Sequence, residues 1–151
     1  MKRVLVVCLG NICRSPIGEE LLRIHAKKKN LNLFVDSAGT SGWHQGNLPD
    51  PRSCEVMRRH GHSIESQRSR PLVEQDLHTF DYILVMDAQN FADVSALTPG
   101  TADIKQFIEK TDVPDPYYGP GDGFQRVYDM LNAAAKDWID SWTNESNSDL
   151  R

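Results

Sequence analysis

A chain of 151 residues, 39% of them hydrophobic, is the size of one ordinary domain and is long enough to bury a full core. It has no apolar run of membrane-spanning length, and its net charge of -4 argues against a general nucleic-acid binder. Three cysteines cannot all pair, so a reducing cytoplasm is expected, and the apolar stretch behind Lys2 and Arg3 is too short for a signal peptide.

The charge is unevenly spread. Residues 1–70 carry 12 Lys or Arg against 6 Asp or Glu, and residues 71–151 carry 5 against 15. A solvated surface accounts for most of this, as for Lys27, Lys28 and Lys29 at a helix end, where cations suit the dipole. A positive rim near residues 8–15 would also attract an acidic, phosphorylated partner.

Residues 3–7 read as a first, buried strand and residues 16–29 as a helix with Ile17, Leu21, Leu22 and His25 on one face. A second strand at 33–36 gives a right-handed parallel crossover. Residues 37–49, rich in Gly, Ser and Thr, read as a loop. Asp50 and Pro51 cap and start a helix that carries Cys54 and Met57 and ends at Gly61. A third strand is expected at 82–86, then a helix capped by Asp87 that displays Phe91, Val94 and Leu97 and is stopped by Pro99 and Gly100. Residues 104–107 form a weaker fourth strand. The last helix, 123–142, shows Phe124, Val127, Leu131, Ala135, Trp138 and Trp142 at helical spacing, the two tryptophans as core or rim packing. The polar tail, 143–151, reads as disordered. Helices alternating with strands predict a single α/β domain over 1–142, an open parallel sheet with helices on both faces and chemistry at the carboxyl ends of the strands.

The stretch that organises this plan is Cys8-Leu9-Gly10-Asn11-Ile12-Cys13-Arg14-Ser15. A buried strand that runs into a small-residue turn and then a helix aims amide N–H groups and the helix dipole at one point, which suits an anion. Arg14 supplies a planar fork for two phosphate oxygens, and amides, dipole and guanidinium together favour a thiolate at Cys8, which is expected to act as a nucleophile at the mouth of the turn.

Cys-x5-Arg-Ser after a strand resembles the phosphate loop of the low-molecular-weight protein tyrosine phosphatases. The match extends through VCLGNICRSP, DSAGTSGWH at 36–44, PDPR at 49–52, FDYILVMD at 80–87 and DPYYG at 115–119. The resemblance implies a sheet of order 2-1-3-4 and a cysteine-dependent phosphatase acting on phosphotyrosine in proteins and on small aryl phosphates. It also implies that no metal or organic cofactor is needed. The backbone amides of Leu9, Gly10, Asn11, Ile12, Cys13 and Arg14 would hold the phosphoryl oxygens. Asp115, which between Pro114 and Pro116 would otherwise be a turn residue, matches the family's acid loop and would protonate the leaving oxygen.

Ser15 either donates to the Cys8 sulfur, as in the family, or caps the helix before Pro16. Asn11 suits a left-handed bend; in the family it is held by a serine, matched by Ser37, and by a histidine, whose position is taken by Gln67. Trp43, with Tyr117 and Tyr118 opposite, would clamp a flat ring; His44 reads as a surface residue and Asp87 as a cap. Ile12 stands where related arginine-phosphate phosphatases carry threonine, which favours tyrosine phosphate. Cys13 lies close enough in sequence for a reversible disulfide with Cys8, while Cys54 reads as a small buried thiol. The expected partners are a phosphotyrosine protein and phosphate or other oxyanion inhibitors, with the chain a monomer. Three other readings are a phosphoarginine phosphatase, a thiol-dependent arsenate reductase, for which residues 55–151 lack the further cysteines, and a non-catalytic phosphate-binding module.

Overall fold

The structure, a computed structural model, describes residues 1–97 and 99–149. Its elements follow in the order β1 (Lys2–Cys8), α1 (Arg14–Lys28), β2 (Leu33–Gly39), α2 (Pro51–Arg59), α3 (Asp76–Thr79), β3 (Tyr82–Val85), α4 (Ala88–Ser95), β4 (Asp103–Gln106) and α5 (Gly123–Asp149). The four strands pair in parallel in the order β2-β1-β3-β4.

The run Val4-Leu5-Val6-Val7 is buried on both faces because β1 is central. Val4 and Val6 join Leu84 and the apolar faces of α1, α2 and α5 in the larger core. Leu5 and Val7 join Ile83, Val85, Leu77 and Val94 on the opposite face, under α3 and α4. Helices therefore cover both faces, as the alternating pattern predicts.

Helix ends follow local chemistry. Asp50 caps α2 by accepting from the Arg52 N–H at 2.8 Å, with Pro51 at the first helical position, and Gly61 closes the helix at φ 82°. Asn30, at φ 54°, closes α1, with Leu31 N–H donating to the Ala26 carbonyl at 2.9 Å.

Four boundaries differ from expectation. α1 begins at Arg14, two residues before Pro16, because a first-turn amide needs no intrahelical partner and proline loses nothing there. β2 continues through Ser37, Ala38 and Gly39, which pair along β1 as far as Cys8. The short α3 is too brief for any periodicity to announce. The tail reads from sequence as disordered, but α5 runs through it to Asp149: no Gly or Pro interrupts 143–149, and Glu145 lies 3.7 Å from Lys2. Residues 150 and 151 of that tail lie outside the described residues. Among the described residues no helix is long and apolar enough to cross a membrane.

Candidate active site

Residues 8–13 leave the carboxyl end of β1 and curl into the start of α1. Their carbonyls are drawn outward by neighbouring segments. Cys8 C=O accepts from Thr40 N–H at 2.9 Å, Leu9 C=O from Ser41 N–H at 2.9 Å, and Gly10 C=O from Ser69 Oγ at 3.0 Å. Ile12 C=O accepts from Asp50 N–H at 2.8 Å and Cys13 C=O from Ser53 Oγ at 3.0 Å. In a planar trans peptide the next N–H points opposite to the carbonyl, so the amides that follow face the inside of the loop. Gly39 permits this packing: a Cβ there would stand 2.9 Å from the Leu9 oxygen. Asn11 takes the left-handed bend at φ 56°.

The Cys8 sulfur lies 3.1 Å from Ser15 Oγ. Asn11 Nδ2 donates to the same Oγ at 2.7 Å and to Ser37 Oγ at 3.0 Å, and Ser37 Oγ donates to buried Glu19 at 2.7 Å. With its oxygen already accepting from Asn11, the Ser15 hydroxyl hydrogen is left for the sulfur. α1 has no side-chain cap, so the rival role for Ser15 is unfilled. The remaining support of Asn11 comes from Arg70, whose backbone N–H donates to Oδ1 at 3.0 Å. Gln67 takes no part; its amide donates to the Pro16 carbonyl at 3.0 Å, and its buried Oε1 has no partner. Burial pushes the Glu19 carboxyl up in pKa, only partly countered by Ser37 and Arg23.

Arg14 is buried under the loop. Its Nη1 donates to Asp87 Oδ2 at 2.7 Å and to the Val113 carbonyl at 2.8 Å. Asp87 has a second task, since its Oδ1 caps α4 by accepting from Asn90 N–H at 2.8 Å. Buried Nε has no partner in the protein, and Nη2 makes a long ion pair with Asp115 Oδ2 at 3.7 Å and no hydrogen bond, so the Nε–Nη2 edge can still donate to two oxygens of an anion. Burial works against the charge of Arg14, but Cys8, Asp87 and Asp115 outweigh it and raise its pKa.

These groups open on one cavity of about 250 Å³, lined by Cys8, Ile12, Cys13, Arg14, Asp115 and Tyr117 and rimmed by Trp43, His44 and Tyr118. Leu9 and Gly10 line it too. Trp43 is 77% and Tyr118 93% exposed, which marks them as rim and not core. Tyr118 meets Tyr117 edge-on, with centroids 4.7 Å apart. Asp115 Oδ1 accepts from Tyr117 N–H at 3.2 Å. The thiols of Cys8, Cys13 and Cys54 are free and buried. Burial, reinforced by Asp50, Cys8 and Asp115, pushes the Cys13 thiol far up in pKa, so that it stays neutral.

The structure thus brings Cys8, Arg14, Ser15, Asn11, Ser37 and Asp115 into one neighbourhood. His44, read from sequence as a surface residue, is a half-buried wall of the cavity, tilted against Tyr117 at 6.3 Å. Asp87 is both the expected cap and the unforeseen anchor of Arg14; no signal in the sequence links positions so far apart. Among the described residues no group of three or more His, Cys, Asp or Glu is placed to hold a metal ion.

Over residues 3–148 the chain matches the family described as low molecular weight phosphotyrosine protein phosphatase. It is 39% identical over 155 residues to the low molecular weight protein-tyrosine-phosphatase YfkJ of Bacillus subtilis, covering 96% of this chain and 98% of that one. Against the human low molecular weight phosphotyrosine protein phosphatase it is 42% identical over 138 residues, covering 84% and 87%. A crystal structure of a protein tyrosine phosphatase from Entamoeba histolytica, with Hepes in its active site, is similar with a TM-score of 0.90 at 35% identity, covering 97% of this chain and 99% of that one.

Proposed function

The chain belongs to the low molecular weight phosphotyrosine protein phosphatase family of hydrolases, and on that premise we propose that it hydrolyses phosphotyrosine in proteins with Cys8 as nucleophile, Arg14 as phosphoryl anchor and Asp115 as general acid. The observation that carries the reading is the convergence of a sulfur, a guanidinium whose buried Nε has no partner in the protein and a carboxyl group on one small cavity. Binding a phosphate alone would need neither the sulfur nor the acid.

The Cys8 thiolate attacks phosphorus; an S–P bond forms as the bond from phosphorus to the phenolic oxygen breaks, and Asp115 gives its proton to that oxygen. The charge that gathers on the phosphoryl oxygens is met by Arg14 and the inward-facing amides, which are in place before the reaction begins. Asp115, now a base, takes a proton from water as the water attacks phosphorus, and the sulfur leaves as thiolate, stabilised by the Ser15 hydroxyl. The walls formed by Ile12 and Tyr117, with Trp43 and Tyr118 at the mouth, suit an aryl group better than a guanidino group. The absence of a metal requirement, a cytoplasmic location and a monomeric state belong to the same reading.

The test is turnover of phosphotyrosine, phosphoserine and phosphoarginine peptides by native protein, Cys8→Ser and Asp115→Asn, with acid-free mass analysis of enzyme trapped during turnover. Phosphotyrosine should be preferred, Cys8→Ser should be inactive, and the trapped phosphate should sit on Cys8. Preference for phosphoarginine, or hydrolysis by Cys8→Ser, would overturn the reading.

A further inference from the structure

In the stretch Pro49-Asp50-Pro51-Arg52, Asp50 caps α2 and its N–H holds the Ile12 carbonyl, while Arg52 uses every edge of its guanidinium. Nε and Nη2 grip Asp50 Oδ1 and Oδ2 at 3.0 and 2.9 Å. Nη1 donates to the Tyr117 carbonyl at 3.1 Å. The flat group lies over two rings, 4.6 Å from the Phe124 centroid and 5.4 Å from that of Tyr117. A lysine could supply the charge but not the fork, the third donor and the stacking surface together.

What these contacts join is more informative than their number. Asp50 is bonded to the phosphate loop, its N–H donating to the Ile12 carbonyl, and it is itself buried. The backbone of Tyr117 bonds on both sides: its carbonyl accepts from Arg52, and its N–H donates to Asp115. A continuous path therefore runs from Ile12 through Asp50, Arg52 and Tyr117 to Asp115. Prolines 114, 116 and 120 stiffen the acid-bearing segment but do not fix where it sits, and Arg52 is the side chain that pins it to α2.

We propose that Arg52 is a positioning residue that sets the distance between Asp115 and the phosphate loop, using Asp50 as its fixed post and the Tyr117 carbonyl as its handle. The proposal rests on the reading of Asp115 as the general acid. An exposed ion pair alone would carry little weight. Here one partner is anchored in a buried cap, and the other end of the arginine holds backbone, so the consequence is geometric: a carboxyl group displaced by an ångström transfers its proton poorly.

The test uses the full chain and a series of aryl phosphates, from 4-nitrophenyl phosphate to phenyl phosphate, with kcat/KM plotted against the acidity of the leaving phenol. Four proteins are compared: native, Arg52→Ala, Asp115→Asn and the double variant; Arg52→Lys and thermal unfolding serve as controls. Misplacing the acid should lower kcat/KM by roughly 10-fold on phenyl phosphate and by less than about 2-fold on the nitrophenyl ester, so that the plot steepens. Arg52→Lys should recover only part of the loss. In the Asp115→Asn background, Arg52→Ala should add no further slope, and inhibition by inorganic phosphate should not change. Loss by one common factor across the series, or weakened phosphate inhibition, would overturn the proposal. If Asp115→Asn itself shows no steepening, the assignment of the acid fails first and this inference fails with it; if Asp115→Asn steepens and Arg52→Ala does not, the inference alone fails.

Discussion

Asp87 serves Arg14 and the start of α4 with different oxygens: Oδ2 accepts from Arg14 Nη1 at 2.7 Å, and Oδ1 from Asn90 N–H at 2.8 Å. One carboxylate thus ties Arg14, the proposed phosphoryl anchor, to a helix cap. Replacing Asp87 with alanine should cost about 1 kcal/mol for the cap. Releasing Arg14 from a charge-assisted bond should weaken inhibition by inorganic phosphate about 10-fold. Asp87→Ser keeps a capping oxygen but cannot reach Arg14, so thermal unfolding should recover while phosphate inhibition stays weak. Recovery of both would remove Asp87 from the anchoring role.

Ser15 Oγ lies 3.1 Å from the Cys8 sulfur in the free protein, and in the proposed reaction its hydrogen bond matters most for rate where the sulfur regains its charge, as it leaves phosphorus in the second step. Ser15→Ala should lower kcat about 10-fold, the worth of one hydrogen bond of about 1.4 kcal/mol. Formation of the S-phosphate should be little changed. Rapid quenching should then show phosphoenzyme accumulating; a slowed first step with no accumulation would speak against this division of labour.

Cys13, a neutral thiol, lines the same cavity as Cys8, the proposed nucleophile, and on that reading should condense with Cys8 once it is oxidised. Native protein treated with peroxide should lose activity and regain most of it in dithiothreitol, with an intramolecular disulfide between Cys8 and Cys13 seen by peptide mapping. Cys13→Ser should lose activity and regain little, its Cys8 having passed to sulfinic acid. Equal recovery in both proteins would show that Cys13 protects nothing.

The stability of the α2 start should depend on pH through Asp50. Burial pushes its carboxyl up, but the Arg52 fork and amide outweigh burial and hold it below the ordinary 3.8. A carboxyl group with a depressed folded value contributes stability above its unfolded value and loses it as pH falls through the folded one. Asp50→Asn, which retains a capping oxygen, should therefore melt below native protein at neutral pH, and the difference should close below about pH 4. A difference independent of pH would show that the charge is immaterial.

What could be read from the sequence was whatever is local. The apolar run of β1, the Asp50 and Asp87 caps, Gly61 and the helical stripe of α5 each declare themselves within a few residues. The order of the strands came only from resemblance, because no periodicity encodes which strands adjoin. The fine structure of the site was out of reach for the same reason. Gln67 stands where a histidine was expected to brace Asn11, but its amide turns to Pro16, and the brace comes from the backbone of Arg70, which carries no side-chain signature. The anchoring of Arg14 by Asp87 and the rim position of His44 are likewise contacts between distant segments. The polar end of α5 misled because a stripe of core residues stops at Trp142, although nothing there ends a helix.

The outward pull on the carbonyls of Cys8, Leu9, Gly10, Ile12 and Cys13 divides two tasks that enzymes often mix. In the proposed reaction the phosphoryl group is recognised largely by peptide groups, oriented by bonds from Thr40, Ser41, Asp50, Ser53 and Ser69 that are made once, when the chain folds. An arriving oxyanion finds its donors already aimed, whatever molecule it is attached to. On the proposed reading, discrimination among carriers falls to the exposed side chains at the mouth, Trp43 and Tyr118 foremost, where exchanging one ring for another should shift the choice of substrate more than the rate of phosphoryl transfer.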